Sequence, residues 1–190
     1  MRKSNLKMTT RTLAYCALFA ALSIVLARLM GLMPNPSTRF SLESIPVFMA
    51  GMLLGPVPGA LVGFVADFVG CLFSAFGYNP IFCIPPILYG LFGGLFRYFL
   101  SKKLSVFRLT TAFLVPVVLG SLLYQSATLA FIYYEGAFIP GFIYYLSTRA
   151  VQFAITLVIN VTVIRLLFQT GIFRRANLWP VERIEKNECK

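Results

Sequence analysis

The chain has no histidine and only six acidic residues. Without an imidazole, His-ligated zinc sites and His-based nucleophilic triads are excluded. The carboxylates are Glu43, Asp67 and Glu135, then Glu182, Glu185 and Glu188 near the C-terminus. They form no Asp/Glu cluster that would suit Mg²⁺ chemistry. No glycine-rich loop ends in Gly-Lys-Ser/Thr, so the usual backbone cradle for ATP phosphates is missing. The four cysteines, Cys16, Cys71, Cys83 and Cys189, lack metal-ligand spacing. Three lie in apolar runs and read as small buried hydrophobes; a disulfide between Cys71 and Cys83 stays open. The chain does not read as an enzyme, and no cofactor is expected.

What is abundant is apolar surface. Of 190 residues, 58% are hydrophobic, 15% aromatic and only 12% charged, too few charges for a soluble domain of this size. Crossing a hydrocarbon layer about 30 Å thick takes roughly 20 apolar residues in a helix. Six runs approach that length, at 11–30, 43–56, 58–75, 82–100, 110–134 and 142–169. The second is short, so it tilts little or begins below the membrane surface. The expected fold is an all-α integral membrane protein with six transmembrane helices. Residues 1–174 form the transmembrane domain and 175–190 a short cytoplasmic tail.

Charge orients the chain. Fourteen of the 17 basic residues fall before the first run, between the fourth and fifth, or at and after the end of the sixth, leaving Arg28, Arg39 and Arg149 elsewhere. The positive-inside rule then makes both termini cytoplasmic, which agrees with an even number of spans. The net charge of +11 therefore reports topology rather than a nucleic-acid face. The first run is long and lacks a small-residue cleavage site, so it reads as a span and not a removed signal.

Ionisable groups at membrane depth cost about 2.5–3.5 kcal/mol on insertion scales unless paired or hydrated. Asp67 follows Gly59, Gly63 and Ala66 and precedes Gly70, a small-residue stripe that admits a close neighbouring helix. Two roles fit it: pairing with an arginine to hold the bundle, or accepting hydrogen bonds from a polar heterocycle. In the sixth run, Tyr145, Arg149, Gln152, Thr156 and Asn160 recur at helical spacing and share one face. In the fifth, Ser121, Gln125 and Thr128 form another polar line. Interhelical hydrogen bonding alone accounts for an isolated polar residue; two polar faces and a carboxylate point to a small-molecule cavity open to the outside. The loops beyond the first and third runs carry Pro34, Asn35, Pro36, Arg39 and Phe40, and then Gly77, Tyr78, Asn79 and Pro80. Proline and glycine shape such a lid, and the aromatics can stack on a flat ring. Arg39 either pairs with Glu43 or offers its guanidinium fork to a ligand carboxylate.

Arg39-Phe40-Ser41, the Gly55-Pro56 turn, the Gly/Ala/Asp segment around Asp67 and Gly77-Tyr78-Asn79-Pro80 occur in this order. In that order the chain resembles the substrate-binding (S) components of energy-coupling factor (ECF) vitamin transporters, folate-type members above all. The resemblance implies a six-helix vitamin binder of the cell membrane, without ATPase activity, that captures folate from outside. Its implied partners are a transmembrane coupling subunit and two cytoplasmic ATPases. An alanine-xxx-alanine pattern in the first helix docks such proteins onto the coupling subunit; here it falls on Ala17 and Ala21. Gly90 and Gly94 show similar spacing and read as helix packing. Residue chemistry assigns Asp67, Gln125 and Gln152 to a pterin edge, Phe40, Tyr78 and Tyr145 to stacking, and Arg39 and Arg149 to anionic oxygens. Asn79 and Pro80 complete the expected site. The alternatives are another vitamin, such as riboflavin or a hydroxymethylpyrimidine, or a structural membrane protein that carries no ligand.

Overall fold

The structure is a computed structural model that describes residues 10–31, 41–72, 80–102, 105–133 and 138–171, with 173 and 178. All its regular elements are helical. They are α1 (Thr10–Gly31), α2 (Ser44–Leu54), α3 (Pro56–Leu72), α4 (Ile84–Leu95), α5 (Arg97–Lys102), α6 (Val106–Pro116), α7 (Gln125–Tyr133) and α8 (Phe138–Gln169). A 3₁₀ turn, Pro80–Cys83, leads into α4, and a π-helical segment, Val117–Tyr124, joins α6 to α7. Among the described residues, three helical stretches have the length and apolarity to cross a membrane: 10–29, 106–132 and 138–169. Three shorter apolar ones lie at 44–54, 56–72 and 80–95. The described part of the expected fourth run is broken at Phe96, where the chain leaves helical geometry (φ −82°, ψ 3°) and α5 starts anew. Arg97, Tyr98 and Phe99 at this break are residues that favour a membrane boundary.

Helix α2 is the centre of the bundle. Every residue from Ser44 to Leu53 is buried, and its contacts are with α1, α3, α4, α5 and α8. A segment that is apolar all round loses nothing by being surrounded on every side. Lipid tails are as apolar as leucine, so burial alone does not drive such packing; close fit does. The fit here is backbone against backbone. A Cβ placed on Gly51 would sit 2.8 Å from Gly94 N, and one on Gly59 would sit 2.9 Å from Gly51 N. Gly63 and Gly93 are pressed in the same way against the backbones of Pro86 and Phe48. Gly90 and Gly94 are thus packing residues, as their spacing predicts. The turn between α2 and α3 needs its glycine for another reason: Gly55 has φ 117°, a conformation that costs other residues strain. Phe48, Tyr89 and Phe113 extend the core, with ring centroids 4.8 and 5.4 Å apart along the series Phe48–Phe113–Tyr89.

The outward surface is what lipid would meet. Leu13, Leu18, Val25, Phe131, Ile143, Val151 and Val158 are all more than half exposed. Arg97 lies against the Gly55 turn, with its Nη1 3.5 Å from where a Cβ of Gly55 would be. Arg11, Arg97, Lys102, Arg108 and Arg165 follow the chain to one end of the bundle, termed here the basic end.

Candidate functional site

Depth within the bundle follows from helix rise. Ser44 and Asp67 each lie about 15–16 Å from the Gly55 turn, ten and eleven helical residues along α2 and α3. That is close to half of a hydrocarbon layer about 30 Å thick. Hydrogen bonds bring two other helices to the same level. On α8, Asn160 is 1% exposed; its Nδ2 donates to Ser44 Oγ at 3.1 Å and to Ser41 O at 3.3 Å. Ser44 Oγ in turn donates to Ser41 O at 2.7 Å. On α1, Ser23 Oγ donates to Glu43 O at 2.9 Å. Ser23 is eight residues before the end of α1, so the start of α2 lies about 12 Å below that end. The short second helix therefore begins well inside the bundle, one of the two outcomes its length allows.

Asp67 stands at this level on α3, half-buried, facing the thiol of Cys83. Among the described residues, no arginine pairs with it. Its Oδ2 is buried without a hydrogen-bond partner among the described residues. The arginine nearest in sequence logic, Arg28 of α1, instead donates through Nη2 to the carbonyl of Gly70. The small-residue stripe of α3 accordingly splits in two. Gly59 and Gly63 meet neighbouring backbone, whereas a Cβ on Gly70 would meet nothing within 4 Å. Cys71 and Cys83 are both free thiols.

The second wall is α8. Phe153, Thr156, Asn160 and Ile164 are buried, and Arg149 and Gln152 half-buried, on one continuous face. Arg149 is eleven residues before Asn160, about 16 Å further from the basic end. With 32 residues, α8 is about 48 Å long, longer than the hydrocarbon layer. It begins at Phe138, eleven residues and about 16 Å before Arg149; with Asn160 level with Ser44 near mid-membrane, the rise from Asn160 brings Arg149 close to the far boundary. The guanidinium lies over the Phe153 ring at 5.8 Å, and its Nη1 is buried with no hydrogen-bond partner among the described residues. Tyr145, one turn above, stacks edge-on against Tyr144, with centroids 5.5 Å apart. Thr156 is occupied by its own helix, donating to Gln152 O at 2.8 Å.

The third wall departs from α-helical arithmetic. From the π segment into α7 the buried side chains Val117, Ser121, Ser126 and Ala130 follow at spacings of four, five and four, with Gly120 buried beside Ser121. The five-residue step belongs to the π segment, whose wider turn shows in the bond from Gln125 N–H to Gly120 O. Pro116 lies inside the span just before it; a proline supplies no N–H and crowds the preceding turn, a common cause of such a register change. Ser121 meets Tyr89, the two hydroxyls 2.9 Å apart and fully inside the protein. Gln125 is half-buried and Thr128 donates to Tyr124 O at 2.9 Å. The residue that a straight helix misses is Ser126, 0% exposed, with Oγ unpartnered. Pro116 in mid-span is the sequence signal that could have located it.

Of the residues expected to form the site, Asp67 on α3, Gln125 on α7, and Tyr145, Arg149 and Gln152 on α8 are each half-buried. Pro80 is exposed at the start of the 3₁₀ turn. Arg39, Phe40, Tyr78 and Asn79 lie outside the described residues. Ala17 and Ala21 are exposed on α1, away from these walls, among the exposed Leu13, Leu18 and Leu22. Sequence reasoning placed Asn160 on the polar face but did not foresee its bonds to Ser41 and Ser44.

Buried polar groups without partners are uncommon because each costs about 1–3 kcal/mol. Among the described residues, such groups occur on Asp67 of α3, Ser126 of α7, and Arg149 and Asn160 of α8. Such a set can hold a ligand that is polar at one end and anionic at the other. The profile of the ECF-type riboflavin transporter S component matches residues 7–170. The folate transporter FolT of Clostridium novyi (strain NT) is 33% identical over 109 residues, 57% of this chain and 62% of that protein. The chain thus spans less than two thirds of the length of this curated relative. A crystal structure of FolT bound with folic acid superposes with a TM-score of 0.69 at 26% identity, covering 84% of this chain and 93% of that one.

Proposed function

This chain belongs to the ECF-type riboflavin transporter S component family, and from that premise we propose that it is the folate-capturing subunit of an ATP-driven importer in the cell membrane. One observation carries the choice of ligand. The unpartnered carboxylate oxygen of Asp67 and the unpartnered guanidinium nitrogen of Arg149 stand about 16 Å apart in depth, from helix rise. Folate matches that arrangement: a pterin with N–H donors at one end, a benzoyl linker, and a glutamate with two carboxylates at the other. Asp67 and Gln125 take the pterin at mid-membrane, Gln152 the linker region, and Arg149 the glutamate near the outside. Arg39, Phe40, Tyr78, Asn79 and Pro80 cover the ligand from the two loops, and Tyr145 stacks at the mouth. The two folate-transporter relatives support this ligand.

The second candidate is riboflavin, favoured by the wording of the family profile itself. Riboflavin is uncharged and leaves a half-buried guanidinium with nothing to neutralise, a costly arrangement. Folate removes that cost through charge-assisted, paired hydrogen bonds.

The chain orients with both termini inside and spans the bilayer six times. It lacks an ATP cradle, so the driving force comes from partners: a transmembrane coupling subunit and two cytoplasmic ATPases. The exposed Ala17 and Ala21 on α1 offer the flat strip at which a partner helix approaches closely. Substrate binds from outside, the partners engage, and the subunit reorients to release it inside.

Calorimetry of the detergent-purified protein with folate, and separately with riboflavin, tests the assignment. One-to-one folate binding without riboflavin binding is expected. The reverse result transfers the site to the flavin, and no binding of either to folded protein discards the substrate assignment.

A further inference from the structure

A groove at the basic end is not used by the site above. It is a cavity of about 360 Å³ between the start of α6 and the last turns of α8, lined by Val106, Val161, Thr162, Arg165, Leu166 and Gln169. Its walls are divided by chemistry. Val106, Val161 and Leu166 make an apolar trough, while Arg165, Thr162 and Gln169 bring a guanidinium, a hydroxyl and an amide to its rim. Arg165 is exposed, and no side chain among the described residues pairs with it. Among the described residues, no acidic side chain lines the groove.

The neighbouring residues mark this place as a membrane boundary. Phe107, next to Val106, is 80% exposed, and Tyr98 and Phe99 of α5 are also exposed. Arg108 is already engaged, lying over the Phe99 ring at 5.0 Å and donating to Phe99 O at 3.4 Å. Thr162 donates to Val158 O at 2.7 Å, so its hydroxyl has lone pairs but no free proton for a ligand. Arg165 and Gln169 are the donors that remain. Aromatic rings gather at the headgroup level, and basic pockets between helices on the cytoplasmic side take anionic headgroups.

We infer that this groove binds an anionic phospholipid of the inner leaflet, its phosphate on Arg165 and Gln169 and the first carbons of its acyl chain along Val106, Val161 and Leu166. The charge pattern excludes a zwitterionic lipid as the preferred occupant: a quaternary ammonium would meet a guanidinium with no carboxylate to offset it. A guanidinium fork suits phosphate oxygens better than an ammonium does, and the trough gives the acyl chain a place a free anion does not need. The inference rests on the inward orientation of the basic end and is independent of which vitamin the protein carries.

The test uses the full chain in detergent with equal amounts of phosphatidylglycerol and phosphatidylcholine, read by native mass spectrometry. Phosphatidylglycerol adducts are expected in excess by about fivefold, the scale of one basic residue at a lipid surface. Arg165→Gln removes that preference, and Leu166→Trp lowers adducts of both lipids by filling the trough. Both variants keep the lipid-free unfolding midpoint of the parent, because both side chains are exposed. Equal binding of the two lipids, or a preference that survives Arg165→Gln, overturns the inference. So does competition by inorganic phosphate at the lipid's own concentration, which would make the groove a free-anion site. The readout does not depend on leaflet, so a wrong orientation shows up separately, in protease access to the C-terminal tail.

Discussion

Replacing Gly90 by alanine tests how the walls of the site are held. The new Cβ would lie 2.8 Å from Ala60 N and closer still to the Gly59 carbonyl. Both obstacles are backbone, so no side-chain rotation relieves them. Restoring ordinary contacts of about 3.5–4.0 Å to the Gly59 carbonyl requires α3 and α4 to part by roughly 1.5–2 Å at this point. A gap of that size forfeits more than about half of each dispersion contact beside it. The expected destabilisation is about 1–3 kcal/mol, or several degrees in unfolding midpoint for a chain of roughly this length. Function should follow, because Asp67 is on α3 and Cys83 immediately precedes α4; parting the helices separates the carboxylate from the thiol that faces it. Gly70→Ala is the internal control. It is on the same helix as Gly59, yet its methyl meets nothing within 4 Å, and alanine is the better helix former. Thermal unfolding in detergent, with folate calorimetry on the same samples, reads both effects. A Gly90→Ala protein as stable as the parent would refute the interlock, and so would an equal loss in Gly70→Ala.

Arg149→Gln should weaken folate binding tenfold or more, from about 1.5–3 kcal/mol for a hydrogen bond to a charged group. A pterin lacking the glutamate should bind the variant and the parent alike; equal losses for both ligands would defeat the depth assignment. Asn160→Leu removes the bonds to Ser41 O and Ser44 Oγ and should lower both the unfolding midpoint and the folate association rate. A normal rate with a lower midpoint would limit Asn160 to a packing role. Ala21→Trp should leave folate binding intact and abolish uptake in cells that carry the coupling subunit and ATPases; undiminished uptake would remove α1 from the partner surface. A protease site placed after residue 175 should be cut from the cytoplasmic side only, and cleavage in intact cells by external protease would reverse the topology.

Much of this protein was legible along the chain because a bilayer imposes a one-dimensional constraint. Length and apolarity mark runs at 11–30 and 142–169, which the structure extends to helices Thr10–Gly31 and Phe138–Gln169. Glycine spacing foretold the packing of Gly90 and Gly94, since a missing side chain has the same effect in any helix that another helix must approach. The polar face from Arg149 to Asn160 is equally visible, because α8 is regular throughout. The π segment is not. A single five-residue step turns Ser126 inward, and periodicity counted from Ser121 cannot report a change of period.

The sequence by itself determined the membrane class, the rough places of the apolar helices, the basic end and the choice of residues able to meet a polar ligand. Only the tertiary structure decided how deep each of them lies. The height of Ser44 comes from bonds made by Ser23 and Asn160, residues 21 positions before it and 116 after it. Arg28 could have neutralised Asp67 and went to the Gly70 carbonyl instead. Those outcomes depend on which partner is nearest in space. Helical pattern is local, set by neighbours three and four residues away; depth and pairing are set by side chains that meet only once the bundle has closed.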